Sequence, residues 1–318
     1  MGNELYAVFG DLHYTHKTNT RPEAGLSILK KLRWAALHSK EIGIKEAIFS
    51  GDIFDNLNVY TPFSYIKALA EILRSFDRVF YITGNHDYHK AFGLHWEDEP
   101  IGMLHELAGN MINIDGGSPY PLTNGYNLVG REWKKKYDLG KGEDLECPEH
   151  LNPKKTIMVT HSYLVPEKYN IMQQYVSYES LKNPCQLYLV GHYHDSLGCI
   201  PYEDKDLLIM GSVFRKAVNE HHAPSFFVLN TSSIRNPGRV VIPHSDLEDT
   251  FIDTSAEREL LKIKEGVASF VSALTGTRNV MTRADFVEAI SEVALAEVPD
   301  RVDLVNRHVT DVIDEANL

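Results

Sequence analysis

The 318-residue chain is 43% hydrophobic and 24% charged, a balance that excludes a disordered or fibrous protein and leaves room for one catalytic core with an appendage. Its net charge of -12 counts against a polyanionic partner only superficially, because residues 245–318 hold 16 acidic and seven basic side chains and leave -3 for residues 1–244. Three cysteines without a Cys-x-x-Cys pair exclude a disulfide framework, and no stretch reaches the roughly 18 apolar residues of a membrane span.

Leu5 to Phe9 is a short apolar run ending at Gly10-Asp11, which predicts a buried strand that delivers Asp11 and His13 at its carboxyl end. Residues 25–40 repeat apolar side chains at Leu26, Leu29, Leu32, Ala36 and Leu37, a helical period. Ala47 to Ser50 is the second strand, and Pro62 opens a helix running to Phe76 as a first-turn proline does. Val79 to Thr83 is the third strand and runs into Gly84-Asn85-His86-Asp87. Strand, motif and helix in this order predict parallel pairing, with ligands gathered at the carboxyl ends of strands.

A helix over 101–108 and strands near Met111 to Ile114 and Tyr126 to Val129 follow, with turns and loops from Lys134 to Pro153. Strands at Thr156 to Val159 and Gln186 to Val190 end at His161 and at Gly191-His192-Tyr193-His194. Alternating runs near Leu207 to Met210, Phe226 to Leu229 and Val240 to Ile242 are expected to form the second sheet of a sandwich. Beyond Ser245 the pattern turns helical, over 255–274, 282–297 and 301–316. The expected organisation is a catalytic domain over 1–244 and an acidic helical extension over 245–318. No basic segment followed by an apolar one opens the chain, so a cytoplasmic protein is expected.

Five polar segments therefore sit at strand ends: Asp11-Leu12-His13, Gly51-Asp52-Ile53-Phe54-Asp55, Gly84-Asn85-His86-Asp87, Thr160-His161-Ser162 and Gly191-His192-Tyr193-His194. Aspartate and histidine are oxygen and nitrogen ligands suited to Mn, Fe, Zn or Mg. Two such ions about 3.5–4 Å apart clamp a phosphate and activate water for in-line attack. A carboxylate can bridge them, which an imidazole cannot.

These segments resemble the calcineurin-like metallophosphoesterases, whose pattern Asp-x-His, Gly-Asp-x-x-Asp, Gly-Asn-His-Asp/Glu, His and Gly-His-x-His is matched from residue 5 to about 230. The resemblance implies a four-layer α/β/β/α sandwich in the α/β class. It also implies a dinuclear site, with Asp11, His13, Asp52 and His194 on one ion, and Asp52, Asn85, His161 and His192 on the other. Mn2+ is the expected ion. His86 would then be the general acid to the leaving oxygen and Asp55 the carboxylate that orients it.

Residues 51–55, the Pro62 helix and Gly211-Ser212-Val213-Phe214-Arg215 resemble the SbcD-type nuclease subunits, which implies an exo- or endonuclease acting in DNA repair, recombination or replication with a coiled-coil ATPase. In those proteins a helical segment after the catalytic sandwich carries the ATPase. Here its apolar positions would include Leu260, Leu261, Val267, Phe270, Val271, Phe286 and Ile290, with packing on the body as the alternative. Tyr14-Thr15 stands where many members have Leu-Gly, and the chain is short for a DNA-binding cap, closer in length to phage-encoded counterparts, for which the location would be the host cytoplasm.

Arg131, Lys134, Lys135 and Lys136, interleaved with Trp133, are candidate contacts to a phosphate backbone, a solvated loop being the alternative. His16, His89, His95, His221 and His222 are assigned surface or supporting places, and Cys147, Cys185 and Cys199 are taken as structural thiols. DNA, the ATPase and a second copy of the chain are the expected partners. A small-molecule nucleotide phosphodiesterase or pyrophosphatase is the alternative activity, and a non-catalytic scaffold the third.

Overall fold

The computed structural model describes residues 4–16, 21, 23–55, 61–87, 96–169, 175–215 and 222–244. By its internal contacts the chain divides into Met1–Phe251 and Ile252–Leu318, and the described residues all belong to the first. The expected helices beyond Ser245, with their apolar positions, lie outside the described residues, as do His89, His95 and His221.

Two six-stranded sheets make the body. In the first, β1 (Leu5–Phe9), β2 (Glu46–Phe49), β3 (Arg78–Tyr81) and β4 (Met111–Asn113) run parallel in sequence order. On the far side of β1, β13 (Ser225–Asn230) and then β14 (Gly238–Val241) add antiparallel strands. The second sheet has a parallel centre of β6 (Asn127–Arg131), β7 (Thr156–His161), β10 (Leu187–Gly191) and β12 (Lys205–Ile209). Its antiparallel edges are β5 (Tyr120–Pro121) and β11 (Gly198–Tyr202). A small separate pair joins β8 (Leu164–Val165) to β9 (Val176–Ser177).

The runs at 226–229 and 240–242 are thus strands, but they extend the first sheet, correcting the expectation that they build the second. Alternation shows that a strand has two different faces and does not show which sheet it joins.

The two-residue period of the strands sorts the core into three. Tyr6, Val8, Ile48 and Phe80 point between the sheets and meet Leu128, Ile157, Val159, Leu187 and Leu189. Their alternates Ala7, Phe9, Ala47, Phe49 and Tyr81 point outward, against helices α1 (Ala24–Glu41), α2 (Phe63–Leu73) and α3 (Pro100–Ala108). Strands buried on both faces need apolar residues at nearly every position, which is why these runs are continuous. Met158, Tyr188, Val190 and Leu207 face the other way and are covered by Tyr137, Leu145, Leu164, Val176 and Tyr178. The sandwich of the expected class is present, and among the described residues its fourth layer consists of 3-10 turns and the β8–β9 pair rather than α-helix.

On α1 the buried stripe is Ile28, Leu29, Leu32, Ala35 and Ala36, while Leu26 and Leu37 face solvent. No described helix is long and apolar enough to cross a membrane.

Candidate metal centre

The carboxyl ends of β1, β2, β3, β7 and β10 meet at one edge of the sandwich, and their turns bring the polar segments together. Space there is so tight that the glycines of the motifs are required by contact. A Cβ on Gly84 would fall on the Asp52 backbone nitrogen and carboxylate, and one on Gly51 would lie 2.6 Å from His161 Nδ1. The backbone is also forced: His13 (φ 47), Asp52 (φ 47) and His192 (φ 78) all occupy the left-handed region, a conformation that costs a side-chain-bearing residue about 1–2 kcal/mol.

Among the described residues His13, Asp55 and His86 form one group of potential ligands, and two more carry the expected ligand set. In one, His13 Nε2 lies 2.9 Å from His194 Nε2, with Asp11 Oδ2 3.7 Å from that same His194 nitrogen. In the other, His161 Nε2 lies 3.1 Å from His192 Nδ1, 3.2 Å from Asn85 Oδ1 and 3.2 Å from Asp52 Oδ2. Asp52 stands between them. Its Oδ1 accepts the His86 backbone N–H at 2.9 Å. Its Oδ2 is buried without a well-formed hydrogen bond, and is also 3.8 Å from His13 Nε2. Ring nitrogens turned on one another around a buried carboxylate oxygen are the donor set of a cation site, so these residues fit two divalent ions.

Charge follows from the packing. Burial pushes the Asp52 carboxyl up, but His161, with help from His13 and His86, more than reverses this and holds it far below the usual range. Burial likewise favours neutral His161, yet the Asp52 and Asp11 carboxylates and the Ser50 carbonyl raise it to about 10. His192 is lowered, mainly by burial.

All seven expected ligands therefore come together: Asp11, His13, Asp52, Asn85, His161, His192 and His194. Asp11 is fixed by accepting the His192 backbone N–H on both oxygens, at 3.0 and 2.9 Å. Ser212 bridges to Asp11 and lies 3.2 Å from His222 Nε2, giving His222 its supporting place. The His16 ring lies beside Tyr65.

His86 is placed at the rim, about a third exposed, with Nε2 4.0 Å from Asp52 Oδ2. Its Nδ1 meets the backbone carbonyl of Asp55, whereas the Asp55 carboxylate lies 3.3 Å from His13 Nδ1. Asp55 meets His86 through its main-chain carbonyl, and its carboxylate also stands in one cluster with the His13 and His86 rings.

In the basic loop, expected as a phosphate-contacting patch or a solvated loop, the cations have an acidic neighbour. Lys134 and Lys136 pair with Asp144 at 2.8 and 3.0 Å, and Arg131 Nε donates to the Asp144 carbonyl at 2.7 Å. Lys135 is exposed. The acidic partner Asp144 lies eight to ten residues downstream of Lys136 and Lys134, beyond the reach of a local charge count.

Two residues were missed by sequence reasoning. Asp87 is fully buried and accepts the Phe54 and Gly84 N–H groups at 2.9 and 2.8 Å, lacing two motif turns together. Burial and the Asp52 charge raise its carboxyl to about 7 despite those donors. Its place as the last letter of Gly84-Asn85-His86-Asp87 was the available signal. Asp138, 3.4 Å from His192 Nε2, lies in no motif.

The model of the calcineurin-like phosphoesterase family matches residues 5–196. Among solved structures, a dimetal phosphatase from Danio rerio is similar at 12% identity with a TM-score of 0.45, covering 77% of this chain and 100% of its own. No curated protein matches.

Proposed function

The chain belongs to the calcineurin-like phosphoesterase family, and from that premise we propose that it is a two-metal phosphodiesterase acting on DNA, an exo- or endonuclease subunit of repair, recombination or replication. The observation that carries the hydrolytic part is Asp52 Oδ2, buried between His13 and His161 without a well-formed hydrogen bond. Asp11, His13, Asp52 and His194 would hold one ion, and Asp52, Asn85, His161 and His192 the other. Mn2+ is the proposed ion, with Fe, Zn or Mg as alternatives. Such ions supply Lewis acidity, withdrawing charge from phosphoryl oxygens and acidifying water.

The chain's own groups do the rest. With Nδ1 against the Asp55 carbonyl, an acceptor only, His86 carries a proton there, and as the doubly protonated imidazolium it would hold a second on Nε2, the one passed to the departing oxygen. Partial exposure lets that atom reach an incoming ester. Asp52 Oδ1, by accepting the His86 N–H, sets the spacing between the bridging carboxylate and the acid.

DNA is favoured by the likeness of residues 51–55 and 211–215 to the SbcD-type subunits and by the openness of the centre, where His194, like His86, is about a third exposed. A coiled-coil ATPase is the proposed partner. A second reading, hydrolysis of a small nucleotide or pyrophosphate, is favoured by the pairing of Lys134 and Lys136 with Asp144, which removes two cations from any backbone contact.

The deciding assay is hydrolysis of labelled linear double- and single-stranded DNA with Mn2+ or Mg2+, beside bis-p-nitrophenyl phosphate and a cyclic nucleotide, with Asp52→Asn as blank. DNA cleavage absent from the blank supports the nuclease. Turnover of the small esters with intact DNA selects the second reading.

A further inference from the structure

Asp138 sits in the loop after β6, and that loop is anchored to the metal centre at its start. The Trp133 backbone N–H donates to the Thr83 carbonyl at 3.0 Å, immediately before Gly84-Asn85. From there the chain closes a 3-10 turn over Tyr137–Leu139, which returns Asp138 to the indole of Trp133. The Trp133 Nε1–H points at both carboxylate oxygens, at 3.4 and 3.3 Å.

The carboxylate so held faces His192. Asp138 Oδ1 lies 3.4 Å from His192 Nε2, a buried ring nitrogen with no hydrogen-bond partner. Across the ring, Nδ1 is 3.1 Å from His161 Nε2, inside the ligand cluster. The Tyr163 ring packs over the same imidazole with centroids 4.1 Å apart, which restrains it from swinging.

An imidazole can offer a lone pair at one nitrogen only if its proton sits on the other. We propose that Asp138 is a positioning residue that accepts the Nε2–H of His192, so that Nδ1 is presented unprotonated to the second ion, with Trp133 holding the carboxylate in place. The proposal rests on the two-metal reading above. Closing the contact to the usual N–H···O distance of about 2.9 Å takes roughly half an ångström, a small movement for a partly exposed loop side chain. A carboxylate behind a ligating histidine fixes both the ring's orientation and its tautomer, and the loss of such a partner typically weakens metal affinity by about 10–100-fold.

The test is Mn2+ titration by calorimetry of full-length protein stripped with chelator, with the thermal midpoint of each stripped protein recorded alongside. Wild type is expected to take two ions. Asp138→Ala should bind one of them about 10–100-fold more weakly, with the other ion and the stripped midpoint unchanged. Asp138→Asn, which keeps an acceptor oxygen, should recover most of that loss, and Trp133→Phe, which frees the carboxylate, should fall between. Wild-type affinity for both ions in Asp138→Ala overturns the proposal. So does equal weakening of both ions with a lowered stripped midpoint, the mark of a merely structural role. Fewer than two ions on the wild type defeats the two-metal reading itself, an outcome visible before any variant is made.

Discussion

His86 meets Asp55 through the main chain, its Nδ1 on the Asp55 carbonyl, while the Asp55 carboxylate turns to His13 Nδ1 at 3.3 Å. The carbonyl and the carboxylate of Asp55 therefore serve two neighbouring rings that share one cluster with it. Asp55→Ala leaves the carbonyl that orients His86 and removes the group that holds His13, so its loss of activity should be recovered largely by raising Mn2+. His86→Gln should keep both ions and lose about 10²–10⁴-fold in turnover at any metal concentration. Metal-dependent rate curves for the two variants decide it, and coinciding curves would contradict the assignment.

Asp52→Asn replaces the one carboxylate common to both clusters. Its buried Oδ2 lies near His13 as well as His161, so a single substitution should reduce bound metal from two ions per chain to one or none and abolish hydrolysis. Elemental analysis after gel filtration reads the stoichiometry directly. A variant that retained two ions would show that the bridge lies elsewhere.

The pH dependence of metal uptake follows from His161, raised to about 10 from an unfolded value near 6.5. In protein stripped of metal, the stability tied to that proton is fully present below about 6.5 and is lost as pH rises through about 10. Uptake requires the neutral imidazole, so affinity for Mn2+ should climb with pH across this window with net release of a proton. Calorimetry in buffers of different ionisation enthalpy measures that proton, and zero release at pH 7.5 would refute the shift.

Asp87→Ala should destabilise the fold without removing a ligand. It would leave the Phe54 and Gly84 N–H groups buried and unpaired, at about 1–3 kcal/mol each. Urea unfolding should therefore show a loss of roughly 2–6 kcal/mol.

Gly84→Ala tests the packing at the strand ends. Its Cβ would displace Asp52 itself, backbone as well as carboxylate, so metal binding should fail while most of the sheet core persists. Retained far-ultraviolet circular dichroism with reduced metal content is the expected pair of results.

The convergence of the polar segments was legible in the sequence because each stands at the end of an apolar run, and runs of that kind are strands whose ends meet. The face of α1 was less so: Leu26 and Leu37 carry apolar side chains yet lie outside the buried stripe, since periodicity in type tolerates exposed leucines. The sheet of Phe226 and Val240 was hidden because pairing with β1 joins residues more than two hundred positions apart. Asp144 and Asp138 were hidden for a related reason, as loop side chains whose partners are set by tertiary structure.

The seven residues that would hold the ions are drawn from both sheets, and neither sheet holds a complete set. Asp11, His13, Asp52 and Asn85 follow strands of the first, while His161, His192 and His194 belong to the second. Each ion, once bound, would consequently be a cross-link between two halves that this edge otherwise joins by hydrogen bonds, such as the His192 N–H to Asp11 and the Trp133 N–H to the Thr83 carbonyl. Metal loading should then act on unfolding as a rivet does on a laminate: the layers cannot peel from the catalytic edge until a coordinate bond breaks, and the loaded protein gains kinetic persistence from the same atoms that would make it an enzyme.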